Sequence, residues 1–532
     1  MKLQDQFANG GFAVAHGVYG NEELIRIRAA IEATDVASWC VWEKDLCACS
    51  RNFLNFATHP SVLGPVRELL GEEVVLWGGS YIKRVPGQVH LWHTDIESSP
   101  PEGGFVTVWI GLDGTSRESA LKLVPQSHQF GKPLQQVIQE SGKSRQTTTD
   151  EDVIAWAADL HEDHAGLVQP DVTNGDAIIF DGRLWHGSDN QSKELSRTAL
   201  LFQFARADVP VRIPDFHQLD WPFRIRDYPL PPCIRVSGDG GSSPNSLAEL
   251  PPLLDEKLPT LEAGVHTVGF EDEVPEGQAH HSQLLFEGRT ANALIMHGHY
   301  STLRPGESPH LPHAHVEEEV LMVLKGNATL CYDDGTGEVV DHPVSVGDGV
   351  YYPSFHRHTI RNNSNEPVVY IMFRWVGTGS EVRETLPLQR LRVEPLKGDE
   401  DDSFKMQECL RGSTHQLKGL ESHVSTMLPG GGYEAHPDEH DVLILMFEGE
   451  LETNGRNLGP GQVAWHPAGS LHDMWNRSEA PARYLVLEFH GDNCSGDYVS
   501  FSAPPEPRLK RIFRKRSPER ILRNLRRLVG LK

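Results

Sequence analysis

Two segments of the chain repeat one order of features, and this repeat limits the folds that the chain can adopt. In each segment an apolar stretch ends in a glycine, as in "EEVLMVLKG" and "HDVLILMFEG". A glycine-containing turn, a short strand, a proline and a late histidine follow, in "VGDGVYYPSFHRHTIRN" and "LGPGQVAWHPAGSLHDMWN". A period of roughly 120 residues built from short strands indicates two copies of one small β-barrel.

The rest of the chain divides around this repeat. Residues 1–235 begin with a helical pattern and continue as short strands separated by Gly, Pro and Asp, which is typical of a barrel or a double-sheet jelly roll. Residues 236–261 are rich in Gly, Ser and Pro and are predicted to be a linker. The repeated units occupy 262–395 and 404–503, and a basic amphipathic tail occupies 504–532. The sequence predicts a mainly β protein of several domains, with a few N-terminal helices and a C-terminal basic helix.

Charge and cysteine content narrow the classes of function. The 532 residues carry a formal net charge of -25, which argues against nucleic-acid binding. The seven cysteines include no CxxC pair, so we expect a reducing, cytoplasmic environment. No apolar run reaches the ~18 residues that a membrane span needs. The basic tail at 508–532 predicts peripheral contact with an anionic membrane or a partner.

A metal site is predicted around "HLWHTD". His93 and Asp95 share one face of a strand, and His186 follows the strand in "NGDAIIFDG". Two histidines and a carboxylate form the facial triad of non-haem iron(II) oxygenases, which leaves positions for a chelating 2-oxoacid and dioxygen. Arg197 begins the next strand and suits the distal carboxylate of such a co-substrate. His90 lies an odd number of residues before His93 and is expected to face the other way.

These stretches, together with "LVPQSH" and "RTALLFQF", resemble the phytanoyl-CoA dioxygenase family of iron(II)- and 2-oxoglutarate-dependent oxygenases over residues 1–215. The resemblance implies a double-stranded β-helix in which His93, Asp95 and His186 bind Fe(II) and Arg197 anchors 2-oxoglutarate. It also implies oxidation of a small or carrier-bound substrate with O2, and release of succinate. Related halogenases lack the carboxylate, so the presence of Asp95 favours a hydroxylase or desaturase.

The second unit carries its own set of ligands. His313, His315 and Glu319 lie in "PHAHVEEE" and His358 in "SFHRHT", which gives three histidines and one carboxylate. Their spacing resembles the cupin family, although Phe355 stands where the motif usually has glycine. The resemblance implies a second divalent metal, Fe, Mn, Ni or Zn, and a homo-oligomer formed through the cupins is a further expectation.

The third unit keeps the second cupin motif, but its first motif is damaged. Val442 occupies the glutamate position and Asp438 the position of the second histidine. His436, His440 and His472 form a weaker third set, in which Asp438 is an alternative to His440. A metal-free packing partner for the second unit is the favoured interpretation.

Three hypotheses about function follow. In the first, residues 1–235 are a hydroxylating oxygenase and the two cupins bind metal or ligand, or perform a second step. In the second, the chain is a cupin-based sugar-binding or isomerase/epimerase module with an inactive oxygenase domain. In the third, the two cupins are themselves the oxygenase or isomerase, and the first unit acts on their product. The intact triad and Arg197 favour the first, while the substrate is open because specificity lies in loops.

Overall fold

The computed structural model describes residues 2–33, 44–95, 102–161, 166–212, 231–241, 243–253, 258–270, 273–378, 385–395 and 404–495. The predicted basic helix at 508–532 lies outside these residues. Within them the protein is mainly β, with helices concentrated in the N-terminal unit, as the sequence predicted. None of the helices in this part of the chain has the length and hydropathy that a bilayer span requires.

The N-terminal unit consists of two facing sheets, with its first five helices packed on the larger sheet and its last two packed against the smaller one. Its helices are α1 (Leu3–Gly10), α2 (Asn21–Ala33), α3 (Leu46–Cys49), α4 (Arg51–Ala57), α5 (Pro60–Leu70), α6 (Leu134–Glu140) and α7 (Asp150–Leu160). Its strands are β1 (Phe12–Ala15), β2 (Val74–Arg84), β3 (Val89–His93), β4 (Phe105–Asp113), β5 (Leu121–Leu123), β6 (Ala177–Asp181), β7 (His186–Asp189), β8 (Arg197–Arg206) and β9 (Ile234–Ser237). The larger sheet has the order β1-β6-β4-β8-β2-β9, and the smaller has the order β3-β7-β5.

Strand β4 shows how alternation places side chains on the two sides of the larger sheet. Val106, Val108 and Ile110 join the apolar cluster that includes the helices. Trp109 packs in a different cluster on the opposite side, with residues of β5 and β6. Because Thr107 has the same parity as Trp109, it too points between the two sheets. This inner face is where the first candidate site lies.

The two repeated units are also pairs of sheets, and no sheet closes on itself among the described residues. The second unit contains β11 (His280–Gly288), β12 (Ala293–Leu303), β13 (Glu318–Lys325), β14 (Asn327–Asp333), β15 (Val339–Ser345), β16 (Asp348–Tyr352), β17 (His358–Arg361), β18 (Val368–Gly377) and β19 (Gln389–Arg392). The third contains β20 (Phe404–Gly412), β21 (Gly419–Met427), β22 (Gly432–His436), β23 (Asp441–Glu448), β24 (Leu451–Thr453), β25 (Arg456–Leu458), β26 (Gln462–His466), β27 (His472–Trp475) and β28 (Ala482–His490). Their larger sheets have the orders β11-β12-β18-β13-β16-β19 and β10-β26-β23-β28-β21-β20, where β10 is Gly264–Thr267.

The two repeated units share a core and a strand. Strand β10 lies at the start of the second unit in sequence, but it pairs with β26 of the third unit. Aromatic rings of the two units meet between the sheets: Trp375 lies 5.1 Å from Phe489, and Phe286 lies 5.5 Å from Trp465, measured between ring centroids. These large rings are buried between the two units, so the two units share one hydrophobic core.

The segment between the first and second units is packed against both. Ala248 forms a bridge with Ala314, and Leu247 accepts a hydrogen bond from the Ala314 N–H. Ala314 and Phe355 of the second unit also join the apolar cluster that contains helices α3 and α4. The N-terminal unit therefore lies against the segment before β13 that carries His313 and His315.

Candidate metal centres

The first group of ligand atoms forms where β3 and β7 pair. His93 and His186 lie opposite each other in register, with ring centroids 4.1 Å apart. In each ring Nδ1 bonds a backbone carbonyl two residues earlier, that of Leu91 at 2.8 Å and that of Leu184 at 2.9 Å. A carbonyl only accepts, so Nδ1 must carry the proton and Nε2 has the lone pair that a metal needs.

Asp95 completes this group and divides its two oxygens between two tasks. Oδ2 accepts hydrogen bonds from the Thr107 hydroxyl at 2.9 Å and from Gln203 Nε2 at 3.0 Å. Oδ1 lies 3.9 Å from Nε2 of each histidine. The structure thus brings together the three side chains that the sequence proposed as an iron site.

Burial favours neutral histidines in this group. Desolvation lowers the pKa of both His93 and His186, and the two rings further lower the pKa of His93 by mutual repulsion. A neutral imidazole is the form that binds a metal ion. The environment of His93 and His186 therefore favours binding of a metal cation over protonation of the two rings.

His90 departs from the expectation that it faces away. The register between β3 and β7 shifts between His90 and His93, so simple alternation does not hold across this irregularity. The ring of His90 stands edge-on to that of His93 at 4.6 Å, and its Nδ1 contacts Arg84 Nη2 at 2.8 Å. His90 is a neighbour of the group and contributes no atom to it.

Arg197 lies beside the group at the start of β8. Its side chain is 1% exposed, donates from Nη2 to the Ser188 hydroxyl at 3.0 Å, and lies over Trp109 with 5.3 Å between Cζ and the ring centroid. Ser188 is two residues after His186 on β7, so both point to one side. Among the residues that the structure describes, no carboxylate pairs with Arg197. Burial and nearby Arg84 lower the pKa of Arg197 to about 10.

In the second unit the structure brings together all four predicted ligands. Nε2 of His315 lies 3.5 Å from Glu319 Oε2, and Nε2 of His358 lies 3.7 Å from Glu319 Oε1. Nδ1 of His315 and of His358 bonds the carbonyls of Glu317 and His356 at 2.9 and 2.7 Å. His313 lies with His315 and His358, with the ligand atoms of these three within 4.8 Å of one another.

Two charged residues outside the motif contact this second group. Arg374 Nε lies 2.6 Å from Glu319 Oε2, and Arg374 Nη1 lies 3.3 Å from Glu249 Oε2. The other oxygen of Glu249 lies 3.2 Å from Nδ1 of His313. Burial would raise the pKa of Glu319, but Arg374 and the histidines hold it well below its usual value. Glu249 reaches the group from the segment that the sequence predicted to be a linker.

The predicted third set divides between two groups. His436 and His472 gather around Asp438, with Nε2 to Oδ2 distances of 3.7 and 3.4 Å. His440 lies 4.0 Å from Asp438, but it belongs to a separate group with Glu488 and His490. The alternative with Asp438 therefore describes the first of these groups better than the set with His440.

Several residues at these groups were not identified from the sequence, namely Thr107, Gln203, Glu249, Arg374, Glu488 and His490. Each lies on a strand or segment remote from the motif it serves. Alternation within "YLVLEFH" does put Glu488 and His490 on one face. Only the pairing of β28 with β23 shows that this face meets His440.

Two family models match parts of the chain, and they are the families that the sequence motifs resemble. Residues 7–199 match the family model described as Phytanoyl-CoA dioxygenase (PhyH), and residues 299–374 match the model described as Cupin domain. An N-terminal phytanoyl-CoA dioxygenase domain is therefore joined to a cupin region, which confirms the resemblances found in the motifs of the first two units. The third unit lies outside both matches. No curated protein matches the chain.

Solved structures with similar parts are distant. AerE from Microcystis aeruginosa is 19% identical, with 39% of this chain and 92% of that chain covered and a TM-score of 0.30. A cupin 2 conserved barrel domain protein from Leptotrichia buccalis is 14% identical, with 41% and 92% covered and a TM-score of 0.31. Oxalate decarboxylase from Lactobacillus farciminis, in a formate complex, is 12% identical, with 47% and 91% covered and a TM-score of 0.33.

Proposed function

Starting from a chain that joins a phytanoyl-CoA dioxygenase domain to a cupin region, we propose that residues 1–235 form an Fe(II)- and 2-oxoglutarate-dependent hydroxylase. Its substrate would be a small or carrier-bound molecule. The observation that carries this proposal is the buried cation of Arg197 beside the group of His93, Asp95 and His186.

The residues of the triad fit iron. Both imidazoles have Nδ1 bonded to a carbonyl and carry the lone pair on Nε2, and Asp95 Oδ1 lies at the same distance from each. Two nitrogens and one carboxylate oxygen on one side of a metal suit non-haem Fe(II) and leave open positions. Bound iron, with 2-oxoglutarate and O2, would supply the oxidation that converts a C–H bond to C–OH while the 2-oxoacid yields succinate and CO2.

Arg197 supports a dianionic co-substrate rather than a simple 2-oxoacid. A buried guanidinium without an anionic partner is costly, because desolvation is not offset by Coulomb attraction. A carboxylate at the distal end of a chelating 2-oxoacid would supply the missing charge in a bidentate geometry. Ser188 and Trp109 fix the guanidinium from the side and the face, so little side-chain entropy is lost on binding.

The test measures succinate formed by the full-length protein with Fe(II), 2-oxoglutarate and O2, and the absorption change when 2-oxoglutarate is added to the iron form without oxygen. We expect His186→Ala to lose both signals. Arg197→Met should retain iron but raise the 2-oxoglutarate Kd on the order of 10²-fold, as expected when one partner of a buried charge pair is removed.

His358→Ala is the matched control, because it removes a histidine from the second unit and leaves the triad intact. It should retain succinate formation and the absorption change. The proposal is wrong if His93→Ala and His186→Ala both leave these signals at the level of the unaltered protein.

For the second unit we propose a bound divalent first-row metal. Nε2 of His313 and Oε1 of Glu319 are buried and have no hydrogen-bond partner among the described residues, as expected of atoms that face a metal ion. Metal content of the full-length protein should fall by one ion per chain in His358→Ala. Unchanged content in that variant would contradict the assignment.

A further inference from the structure

The interior of the third unit carries charges opposite to those of the second. In the second unit Glu319 on β13 faces Arg374 on β18. At the corresponding place in the third unit Val442 on β23 faces Glu488 on β28. The strand orders β12-β18-β13-β16 and β21-β28-β23-β26 make these positions equivalent. The third unit thus lacks the motif carboxylate on one strand and has gained one on the adjacent strand, in place of a guanidinium.

Glu488 lies among three histidines. Its Oε2 is 3.5 Å from His440 Nε2 and 3.4 Å from His490 Nε2, while its Oε1 is 3.6 Å from His423 Nε2. The ligand atoms of His440, Glu488 and His490 all lie within 4.8 Å of one another. Atoms bound at about 2.1 Å to a tetrahedral ion are about 3.4 Å apart, so this spacing suits a metal with little movement.

The two oxygens of Glu488 are used as those of Asp95 are. In Asp95 one oxygen is held by Thr107 and Gln203, and the other faces two histidine Nε2 atoms. In Glu488 one oxygen faces His423, and the other faces two histidine Nε2 atoms. In both carboxylates, then, one oxygen faces two histidine Nε2 atoms and the other has separate contacts. Glu488 has this arrangement although it lies on β28, outside the cupin motif.

We propose that His440, Glu488 and His490 form a metal site for a first-row divalent cation, with Zn²⁺ as the best match. Two imidazole nitrogens and one carboxylate oxygen are a common zinc set, and a fourth position remains for water or a ligand. The side chains of His440 and Glu488 are 19% and 22% exposed, so an ion can reach the site from solvent.

Electrostatics of the interior favour a cation here. The side chains in contact with the Glu488 carboxylate are those of three histidines. Glu421 lies opposite Glu488 on β21 and adds a second carboxylate, which Arg411 contacts at 3.2 Å. In the described part of the chain, no lysine or arginine pairs with Glu488.

The neighbouring group of His436, Asp438 and His472 is the competing location. Its ligand distances are similar, but the side chain of His436 is 47% exposed and would have to be ordered on binding. Asp438 is therefore the natural residue with which to separate the two groups by mutation.

The test uses the full-length protein carrying His186→Ala and His358→Ala, which removes a ligand from each of the other two groups. Equilibrium dialysis against Zn²⁺ should give one ion per chain. Adding Glu488→Gln should weaken binding about 10²-fold or more, beyond the effect of losing an outer hydrogen bond, whereas adding Asp438→Asn should change it little. Co²⁺ in place of Zn²⁺ should give the intense visible bands of a tetrahedral ion, and Glu488→Gln should lose them.

Retained binding in Glu488→Gln, or loss of the ion in Asp438→Asn alone, would overturn the assignment. If the variant with both His186→Ala and His358→Ala does not fold, the substitutions are made singly in the otherwise unaltered chain. Glu488→Gln or His490→Gln should then each bind one Zn²⁺ ion per chain fewer than the unaltered protein. Loss of the other sites' metals does not affect this readout, so failure of the proposed hydroxylase leaves the test intact.

Discussion

Gln203 donates a hydrogen bond from Nε2 to Oδ2 of Asp95 over 3.0 Å, and both side chains are buried. Gln203 lies in the middle of β8, whereas Asp95 follows β3 of the facing sheet. Thr107 donates to the same oxygen. Together they fix the rotation of the carboxylate, so that only Oδ1 faces the two histidines.

Gln203→Leu should therefore lower Fe(II) affinity. Loss of one of two donors lets the carboxylate rotate, and removal of such an outer partner typically costs 10–100-fold, so we expect roughly that range. The measurement is an anaerobic Fe(II) titration of the full-length protein. Ser188→Ala is the control: it should weaken 2-oxoglutarate binding through Arg197 and leave the Fe(II) Kd unchanged. An unaltered Fe(II) Kd in Gln203→Leu would show that Oδ2 needs no second donor.

In the second unit, Arg374 competes with a metal for Glu319. It contacts Oε2 at 2.6 Å, and its side chain is 11% exposed while that of Glu319 is fully buried. Arg374→Met should lower the apo-protein's free energy of unfolding by about 3–5 kcal/mol, because it leaves a buried carboxylate uncompensated. It should also raise Mn²⁺ affinity on the order of tenfold, because a like charge near the ion is removed. Denaturant unfolding with EDTA and with Mn²⁺ measures both effects.

Arg361→Met is the matched control for this change. Arg361 pairs with Asp341 at 3.2 Å on the surface, where both side chains are about half exposed. Such pairs contribute about 0–1 kcal/mol, so this variant should unfold like the original protein with or without Mn²⁺. Equal losses in the two variants, or weaker Mn²⁺ binding in Arg374→Met, would contradict the competition.

The sequence was informative where ligands are close together along the chain. Alternation along an extended chain predicts that His93 and Asp95, and likewise His313 and His315, point to one side, and no tertiary information is needed. The structure brings each pair together, although Asp95 follows β3 and the two other histidines precede β13. The cupin spacing likewise located Glu319 and His358. These are local properties of single strands and their turns.

What the sequence could not supply is register between remote strands. Val442 stands where the cupin motif has glutamate. Glu488 can supply a carboxylate near that position only because β28 pairs with β23 there. The shift that brings His90 against His93 and the docking of Glu249 on His313 also depend on tertiary packing. A search for the motif within a single strand finds valine in place of glutamate and therefore predicts that the metal site is lost.

Phe355 stands where the cupin motif usually has glycine, and the structure explains this difference. The explanation can be tested by comparing the stability of two variants. Its φ is +60°, in the left-handed region, where Gly469 stands at the equivalent turn of the third unit with φ +81°. Its ring is 5% exposed and joins the apolar cluster shared with α3 and α4 of the N-terminal unit. Contact between the domains thus offsets a backbone strain of about 1–2 kcal/mol.

Phe355→Ala should lose the burial, about 3–5 kcal/mol, and keep the strain. Phe355→Gly should lose the same burial but relieve the strain, so we expect it to be the more stable of the two by about 1 kcal/mol. This reverses the usual order, in which glycine is less stable than alanine at an ordinary position because it loses more backbone entropy. Calorimetry of the full-length variants measures the difference, and both should unfold the N-terminal unit at a lower temperature, since its contact with the second unit is weakened. If alanine proves the more stable, the left-handed backbone imposes no strain, and the phenylalanine is held there by packing alone.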